Sequence, residues 1–220
     1  MKSKYFAKTL AIASAGAIVL FMTSSSHVKA ESEDSLSRIG LKAAPVPLNM
    51  QGKNPELVGL GSYLVNVAGD CNGCHSLGPS TEFAPGGNPY LGQSPEKVNP
   101  ETYLGGGRDF GQLIPGTANI VSRNLTPDKT GMPAGGMKFS DFRMILRTGT
   151  DIDHLHPNCA GAPGPDCLLP PFKGDLLQIM PWPTLSKLSE HDIRAIYTYL
   201  SSIPCISGPP APSPRHNDCQ

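Results

Sequence analysis

Two thiols and one imidazole lie within five consecutive residues in the first half of the chain. They are Cys71, Cys74 and His75, in the pattern Cys-x-x-Cys-His. On one helical turn, residues three and four apart face the same side, so both thiols reach one edge of a porphyrin as thioethers. His75 then places its imidazole under the ring, and Gly73 leaves room for the ring beside the backbone. The pattern predicts one covalently bound haem c with His75 as an axial ligand of the iron.

Two other uses of a Cys-x-x-Cys pair compete with haem attachment. A thioredoxin-like redox pair needs a surrounding βαβ pattern, and the flanking sequence shows none. A zinc site needs a second matched pair at zinc spacing, and none follows. The haem motif occurs once in the sequence, so the prediction is a single haem.

The opposite face of the iron needs a second axial ligand, for which methionine is a common choice. Met180 is followed by Pro181, Trp182 and Pro183, just before the last predicted helix. A loop stiffened by prolines aims a side chain with little entropy left to lose. We therefore predict Met180 as the sixth ligand. Four residues in loop-like surroundings remain as alternatives: Met132, Met137, His154 and His156.

Two further side chains are candidates for contact with the haem propionates. The indole of Trp182 is suited to donate a hydrogen bond to a propionate, and Arg123 is suited to neutralise one. For both residues, ordinary packing or a surface position is an equal alternative. Asp151 and Asp153 lack the remaining ligands of a calcium loop, so we interpret them as a solvated turn.

The other four cysteines predict two disulfides. Cys159 and Cys167 bracket a short loop of turn-forming residues, whereas Cys205 and Cys219 enclose a proline-rich tail. Four cysteines allow three pairings, and proximity along the chain favours Cys159–Cys167 and Cys205–Cys219. Each bridge contributes about 3 kcal/mol to stability where its geometry is unstrained.

The first 30 residues have the layout of a secretory signal peptide. Lys2, Lys4 and Lys8 precede an apolar stretch at 9–22, and a small-x-small site ends at Ala30. A run of about 14 apolar residues is short of the roughly 20 that a membrane-spanning helix needs, which favours a cleaved signal over an uncleaved anchor. We therefore predict a periplasmic protein without a membrane span after cleavage, in a compartment where disulfides form.

Glycine and proline are abundant, with 24 Gly and 23 Pro in 220 residues. Because ordinary usage is roughly 12% for the two together, much of this chain is expected to be irregular and to depend on a cofactor and disulfides. Four of the 18 Lys and Arg residues lie in the predicted signal peptide, which leaves 14 against 18 Asp and Glu. This mildly acidic balance argues against nucleic acid or an anionic membrane as partner and favours other proteins.

Three segments have the pattern of helices: residues 55–69, 141–148 and 190–202. Asn54, Ser140 and Ser189 are their expected N-caps. Residues 77–139 show no sustained period, which predicts turns that wrap round a flat apolar ligand. The expected organisation is a signal peptide at 1–30, an N-terminal extension at 31–53, a haem domain with loop insertions at 54–204, and an extended, exposed, disulfide-tied tail at 205–220.

The sequence resembles the class I cytochromes c, most closely the haem modules of cytochrome subunits of periplasmic alcohol, aldehyde and gluconate dehydrogenases. The matching stretches are Gly61-Ser62-Tyr63-Leu64, the haem motif at 71–75, Asn124-Leu125-Thr126-Pro127-Asp128 with Thr130-Gly131, Met180-Pro181, Leu188-Ser189-Glu190-His191-Asp192-Ile193, and Tyr199-Leu200. The resemblance implies a mainly α fold of a few helices round one haem, in which the first and last helices cross. It also implies Met180 as the sixth ligand.

For the helix crossing, the resemblance implies that Gly59 or Gly61 meets Ile196 and Tyr199. Related subunits often carry three haem modules and a carboxy-terminal anchor, whereas this sequence shows one module and no anchor. Residues 151–171 and the cysteine-containing tail look like additions to the family pattern. They leave the identity of the partner open.

A haem iron with His75 and Met180 on its two faces has no open position for oxygen, peroxide or substrate. The leading hypothesis is therefore a periplasmic electron carrier, not an enzyme, that moves single electrons between a dehydrogenase or quinol-oxidising complex and a terminal acceptor. An alternative is a haem subunit held tightly in a periplasmic dehydrogenase complex. A third is a haem enzyme or gas sensor with an open sixth site.

Overall fold

The computed structural model describes residues 32–210, 213 and 215–220. The predicted signal peptide, 1–30, lies outside the described residues. None of the helices within the described ranges has the length and apolar character to cross a bilayer. The elements, in chain order, are α1 Glu33–Ala43, α2 Pro55–Ser62, a π-helix Tyr63–Ala68, α3 Cys71–His75, a 3-10 helix Pro89–Leu91, β1 Asp109–Gln112, β2 Asn119–Val121, α4 Pro133–Gly136, α5 Phe139–Thr148, α6 Trp182–Leu185 and α7 Glu190–Leu200.

Helix α1 lies in the predicted N-terminal extension, 31–53, for which no helix is predicted. The side chain of Ser32 caps it by accepting a hydrogen bond from the Ser35 amide. A Cβ added to Gly40 would collide with the backbone of Gly59 in α2, so the two helices pack backbone to backbone. In α1 the buried residues are Ser37 and Gly40. The buried positions of α1 thus carry small residues and no large apolar side chains, so the hydrophobic pattern of the segment does not indicate this contact.

Helix α2 begins at Pro55 as predicted. The Asn54 side chain accepts hydrogen bonds from the backbone amides of Glu56 and Leu57, at 2.8 and 3.3 Å. Its continuation to Ala68 is a π-helix, close to the predicted end. A π-helix turns less per residue than an α-helix. Asn66, within it, accepts a 2.5 Å hydrogen bond from Tyr103 and donates one of 3.0 Å to Tyr199.

Helix α7 begins with the predicted capping arrangement and crosses α2. Ser189 accepts from the Asp192 amide, and the Asp192 side chain accepts from Ser189 in return. A Cβ on Gly61 would collide with the Ala195 carbonyl and crowd the Tyr199 side chain. The crossing therefore involves Gly61 and Tyr199 as expected, but its closest backbone contact is Ala195, not Ile196.

Helix α5 corrects one predicted cap. It begins at Phe139 with Lys138 at the N-cap position and no side-chain cap hydrogen bond. Ser140, the expected cap, lies inside the first turn and bonds the Asp141 carboxylate at 3.2 Å. The predicted end at Gly149 is confirmed, since that residue adopts φ 70°.

Most of the irregular region predicted at 77–139 consists of turns, as expected. It also contains β1 and β2, a small antiparallel pair that the sequence analysis missed because each strand has only three or four residues. The buried hydrophobic cluster joins residues from α2, the π-helix, α5, α7, this region and the loops before α2 and after α7. Its members are Val46, Val58, Val65, Tyr103, Leu104, Phe142, Leu146, Ile193, Tyr199, Leu200 and Ile203.

Both predicted disulfides are present, Cys159–Cys167 and Cys205–Cys219. The tail is not wholly exposed, however. Asn217 is buried, and its amide donates to the backbone carbonyls of Thr126 and Pro127 at 3.0 and 2.9 Å. Because its buried side-chain amide satisfies two carbonyls, Asn217 anchors the end of the chain against Thr126 and Pro127.

Candidate haem-attachment site

Helix α3 is a single turn that carries the whole Cys-x-x-Cys-His pattern. It follows Asp70, which has left-handed backbone (φ 43°), and it ends where the Ser76 amide bonds the Asn72 carbonyl at 2.8 Å. Cys71 is partly buried and Cys74 is exposed. Both thiols are free, whereas the four other cysteines are paired in disulfides. The turn therefore presents two unpaired thiols on one short stretch of backbone.

The chemistry of Cys71 is set by its surroundings. Burial, with the nearby Asp70 carboxylate and Cys74 as smaller causes, raises the pKa of the Cys71 thiol to about 12. A thiol with that pKa is protonated at neutral pH. Because the thiolate is the nucleophilic form of cysteine, the raised pKa makes Cys71 a weak nucleophile at neutral pH.

Gly73 has less free space than the sequence suggests. A Cβ there would lie 2.8 Å from an oxygen of the Asp70 carboxylate. The Arg108 guanidinium donates to the Gly73 carbonyl, which ties the residue just before β1 to this turn. In the structure, glycine at this position accommodates the carboxylate that precedes the turn.

His75 is held through one ring nitrogen. Its Nδ1 lies 2.8 Å from the backbone carbonyl oxygen of Arg123. A carbonyl only accepts hydrogen bonds, so Nδ1 carries the proton and Nε2 keeps a free lone pair. Burial, the larger cause, lowers the pKa of His75 and keeps the ring neutral, although the Arg123 carbonyl opposes the shift. A neutral imidazole with a fixed tautomer is the form that ligates iron.

Behind this carbonyl, Arg123 is engaged with two aspartates. Its Nη2 lies 2.5 Å from Asp151 Oδ1, and its Nε lies 3.1 Å from Asp153 Oδ2. Asp151 is 3% exposed, which corrects its interpretation as part of a solvated turn; Asp153 remains exposed. The predicted contact of Arg123 with a propionate remains a prediction, in competition with these two carboxylates.

Met180 lies on a tight turn before α6. Its amide bonds the Gln178 carbonyl at 2.7 Å, and the Trp182 amide bonds the Met180 carbonyl at 2.8 Å. The preceding Ile179 adopts φ 67°, a rare conformation for a β-branched residue. The Met180 side chain packs against the hydrophobic cluster, as Cys71 and Leu125 also do. Its place as sixth ligand stays a prediction.

The alternative ligands occupy different environments. Met137 packs against the same cluster as Met180. Met132 is half-buried at the N-cap position of α4. The His154 side chain is 65% exposed and lies 3.8 Å from an Asp175 oxygen. His156 is half-buried, and burial lowers its pKa. Met137 is therefore the alternative whose position is most like that of Met180.

The Trp182 ring packs directly on Gly149, where a Cβ would collide with the indole. This contact joins α6 to the end of α5, next to the Met180 turn. The structure thus gives Trp182 a packing position. Its predicted hydrogen bond to a propionate remains a prediction.

One structural residue of the motif was not foreseen. Asn72, between the two cysteines, is buried, and its Oδ1 accepts from the Leu104 amide at 3.0 Å. Leu104 has left-handed backbone, φ 58°. The contact spans 32 residues, so nothing local in the sequence indicates it. Asn72 fixes the loop behind α3, next to the Gly106 amide that bonds the His75 carbonyl at 2.6 Å.

A cleft of about 350 Å³ lies beside this loop, lined among others by Asp70, Asn72 and Tyr103. Its lining includes neither His75 nor Met180. Within the described ranges, no cluster of three or more His, Cys, Asp and Glu side chains has the arrangement of a metal site.

The residues on α3 fit a covalently held haem. Two free thiols lie three positions apart on one turn, and the adjoining imidazole keeps Nε2 as its unprotonated nitrogen. Thioether formation needs the thiols, and iron ligation needs the free nitrogen lone pair. Both requirements are met by residues that the sequence pattern had singled out.

Comparison with known proteins finds two similar cytochrome subunits. The chain is 30% identical over 146 residues to the gluconate 2-dehydrogenase cytochrome c subunit of Pantoea cypripedii, covering 66% of this chain and 23% of that protein. It is 25% identical over 180 residues to the fructose dehydrogenase cytochrome subunit of Gluconobacter japonicus, covering 82% and 28%. The chain thus spans about a quarter of the length of these relatives.

No protein-family model matches the chain, and no solved structure matches it. The similarity to two cytochrome subunits agrees with the residue types on α3, where two free thiols and one imidazole lie on a single turn. The chain is therefore similar to cytochrome c subunits of dehydrogenases.

Proposed function

We propose that this protein is an exported, periplasmic electron-transfer cytochrome with one haem c. Cys71 and Cys74 hold the haem as thioethers, His75 Nε2 and Met180 Sδ are its axial ligands, and the fold round it is that of a class I cytochrome c. The observation that carries the proposal is the His75 Nδ1 hydrogen bond beside two unpaired thiols on the same turn. The haem supplies a one-electron couple when bound, and the protein sets its potential.

The residues round the site have separate tasks in this proposal. The Arg123 carbonyl holds the His75 proton on Nδ1, and burial keeps the imidazole neutral. Met180 offers a soft thioether, which favours reduced iron over oxidised iron relative to a second imidazole. Because both axial positions are then protein ligands, the site is built for electron transfer and not for binding a substrate to iron.

The partner in this proposal is a dehydrogenase that delivers electrons to the haem. The similarity to cytochrome subunits of gluconate and fructose dehydrogenases favours this source. The same similarity makes a permanent haem subunit of such a complex the second candidate function. A free carrier and a bound subunit share the site and differ in the lifetime of the contact.

Haem attachment is tested by expressing the full chain with a c-type cytochrome maturation system. We expect a coloured protein whose mass exceeds that of the polypeptide by one haem. Cys71→Ala and Cys74→Ala together should remove the bound haem, whereas Cys159→Ser with Cys167→Ser, the matched double variant at a disulfide, should keep it. A colourless wild-type protein with the mass of bare polypeptide would contradict the proposal.

The two modes of partnership are separated by isolating the tagged protein from its native periplasm. Recovery of a large dehydrogenase subunit in equal amounts through gel filtration indicates a permanent complex. Recovery of the cytochrome alone, with rapid reduction when a purified periplasmic dehydrogenase and its substrate are added, indicates a carrier. A haem protein that no such dehydrogenase reduces would contradict both.

A further inference from the structure

The carbonyl that orients His75 belongs to a residue whose side chain is itself fixed by a buried charge. The backbone oxygen of Arg123 accepts a hydrogen bond from His75 Nδ1, with 2.8 Å between the two atoms. Its guanidinium donates to Asp151 at 2.5 Å. One residue therefore connects the predicted axial ligand to a carboxylate in the added segment at 151–171.

Asp151 is well anchored in its place. It is 3% exposed, and its backbone amide bonds the Asp175 carbonyl at 2.9 Å. Its carboxylate also accepts from the Asp153 amide at 3.2 Å. A buried carboxylate is stable only when it is paired and hydrogen-bonded, so the position of the Arg123 guanidinium follows that of Asp151.

The second aspartate at Arg123 differs in one useful respect. Asp153 carries the same charge and lies 3.1 Å from Arg123 Nε, but this contact lacks hydrogen-bond geometry, and the side chain is 50% exposed. Water screens an exposed pair and allows it to rearrange at little cost. Asp153 thus places the same formal charge beside Arg123 as Asp151 does, but its carboxylate is not buried.

We propose that Asp151 is a positioning residue for the axial histidine: by holding Arg123, it fixes the carbonyl that orients His75. This inference rests on the proposed function, because it assumes a haem iron on His75 Nε2. A firm hydrogen bond from Nδ1 makes the imidazole a stronger donor to the iron and favours the ferric state. A loosened carbonyl weakens this effect, so the reduction potential rises when Asp151 is lost.

The test uses the haem-loaded full chain and three variants. Asp151→Asn removes the buried anchor, Asp153→Asn is the control matched in charge, and Arg123→Lys keeps the charge but loses the fork that binds two carboxylates. The reduction potential is measured by spectroelectrochemistry. Exchange of the His75 Nδ1 proton is measured by NMR in the ferrous state. Circular dichroism confirms that each variant is folded.

We expect Asp151→Asn to raise the ferrous-to-ferric ratio at a fixed potential at least threefold, equivalent to about 28 mV at 59 mV per tenfold change. We expect the His75 Nδ1 proton of this variant to exchange with solvent about tenfold faster than in wild type, which corresponds to a loss of roughly 1.4 kcal/mol of protection. Arg123→Lys should shift both readouts in the same direction, although its charge is unchanged. Asp153→Asn should leave both close to wild type.

Three results would overturn the inference while the proposed function stands. The first is an Asp151→Asn protein whose reduction potential and His75 Nδ1 proton exchange are both those of wild type. The second is an equal shift of the reduction potential in Asp151→Asn and Asp153→Asn. The third is an Arg123→Lys protein whose Nδ1 proton exchanges at the wild-type rate. Equal shifts mean that charge alone acts on the haem. If Asp151→Asn does not fold, Arg123→Lys decides the outcome by the same two readouts. A wild-type chain that takes up no haem contradicts the proposed function and, with it, this inference.

Discussion

Gly61 in α2 lies against the backbone of Ala195 in α7 so closely that no side chain fits between them. Gly61 and Ala195 are both fully or nearly fully buried, and the Tyr199 side chain adjoins the same point. Since α3 follows closely after α2, this crossing also determines where the haem motif sits relative to the last helix.

Gly61→Ala is expected to destabilise the protein by roughly 2 kcal/mol or more, because the gain in helix propensity is outweighed by a collision with backbone atoms. The control, Val67→Ala, changes a side chain that is 48% exposed in the adjoining π-helix and should cost less than about 1 kcal/mol. Urea unfolding of both variants measures the difference. A Gly61→Ala protein as stable as wild type would show that the helices separate without cost.

The crossing illustrates how far the sequence predicts this fold. The family resemblance implied that a glycine of the first predicted helix meets the last one, and the capping residues Asn54 and Ser189 located two helix starts correctly. The sequence does not show which residue of α7 lies opposite Gly61. Ala195 and Ile196 are adjacent, and a small rotation of α7 about its axis decides which of the two faces α2. The hydrophobic pattern does not indicate the contact of α1 with α2, since the buried residues of α1 are small.

In the candidate site, too, some features are predictable from the sequence and others are not. The Cys71, Cys74 and His75 pattern is local, so sequence alone predicts it. The partners that hold it are distant: the Arg123 carbonyl lies 48 residues from His75, and the Asp151 carboxylate lies a further 28 from Arg123. A carbonyl is present in every residue and carries no sequence signal. Only the fold shows which one His75 uses.

Glu190, at the start of α7, should titrate below its ordinary range. Hydrogen bonds from Arg143, the larger cause, and from Arg147 lower the pKa of this carboxyl, although desolvation opposes them. A pKa lower in the folded than in the unfolded state adds stability above the unfolded value of about 4.3. That contribution is lost as the pH falls through the folded pKa. NMR titration of the Glu190 carboxyl measures the shift.

Arg143→Gln should raise the pKa of Glu190 toward its ordinary value, because the guanidinium at 2.7–2.8 Å is gone. Lys187→Gln is the control, since it removes one positive charge without removing a partner of Glu190. A pKa that both substitutions raise equally would mean that overall charge, and not the arginine contact, lowers it.

Asn217→Ala is expected to destabilise the protein by about 1–3 kcal/mol, because the Thr126 and Pro127 carbonyls lose a buried donor. Asp218→Ala is the control: it breaks an exposed ion pair with Lys129 and should cost less than about 1 kcal/mol. Urea unfolding under oxidising conditions keeps the Cys205–Cys219 bridge intact in both variants. Equal effects would indicate that the disulfide alone anchors the tail.

Met180→Ala should remove the sulfur-to-iron charge-transfer band of the oxidised protein and lower its reduction potential, because the soft thioether that favours ferrous iron is lost. Met137→Ala is the matched control, since Met137 is also partly buried against the same hydrophobic cluster. It should keep the band while losing about 2 kcal/mol of stability. Optical spectra of the two ferric variants decide the ligand. If the band survives in Met180→Ala and disappears in Met137→Ala, the tight turn at 178–182 serves packing, and the iron is ligated from the end of α4.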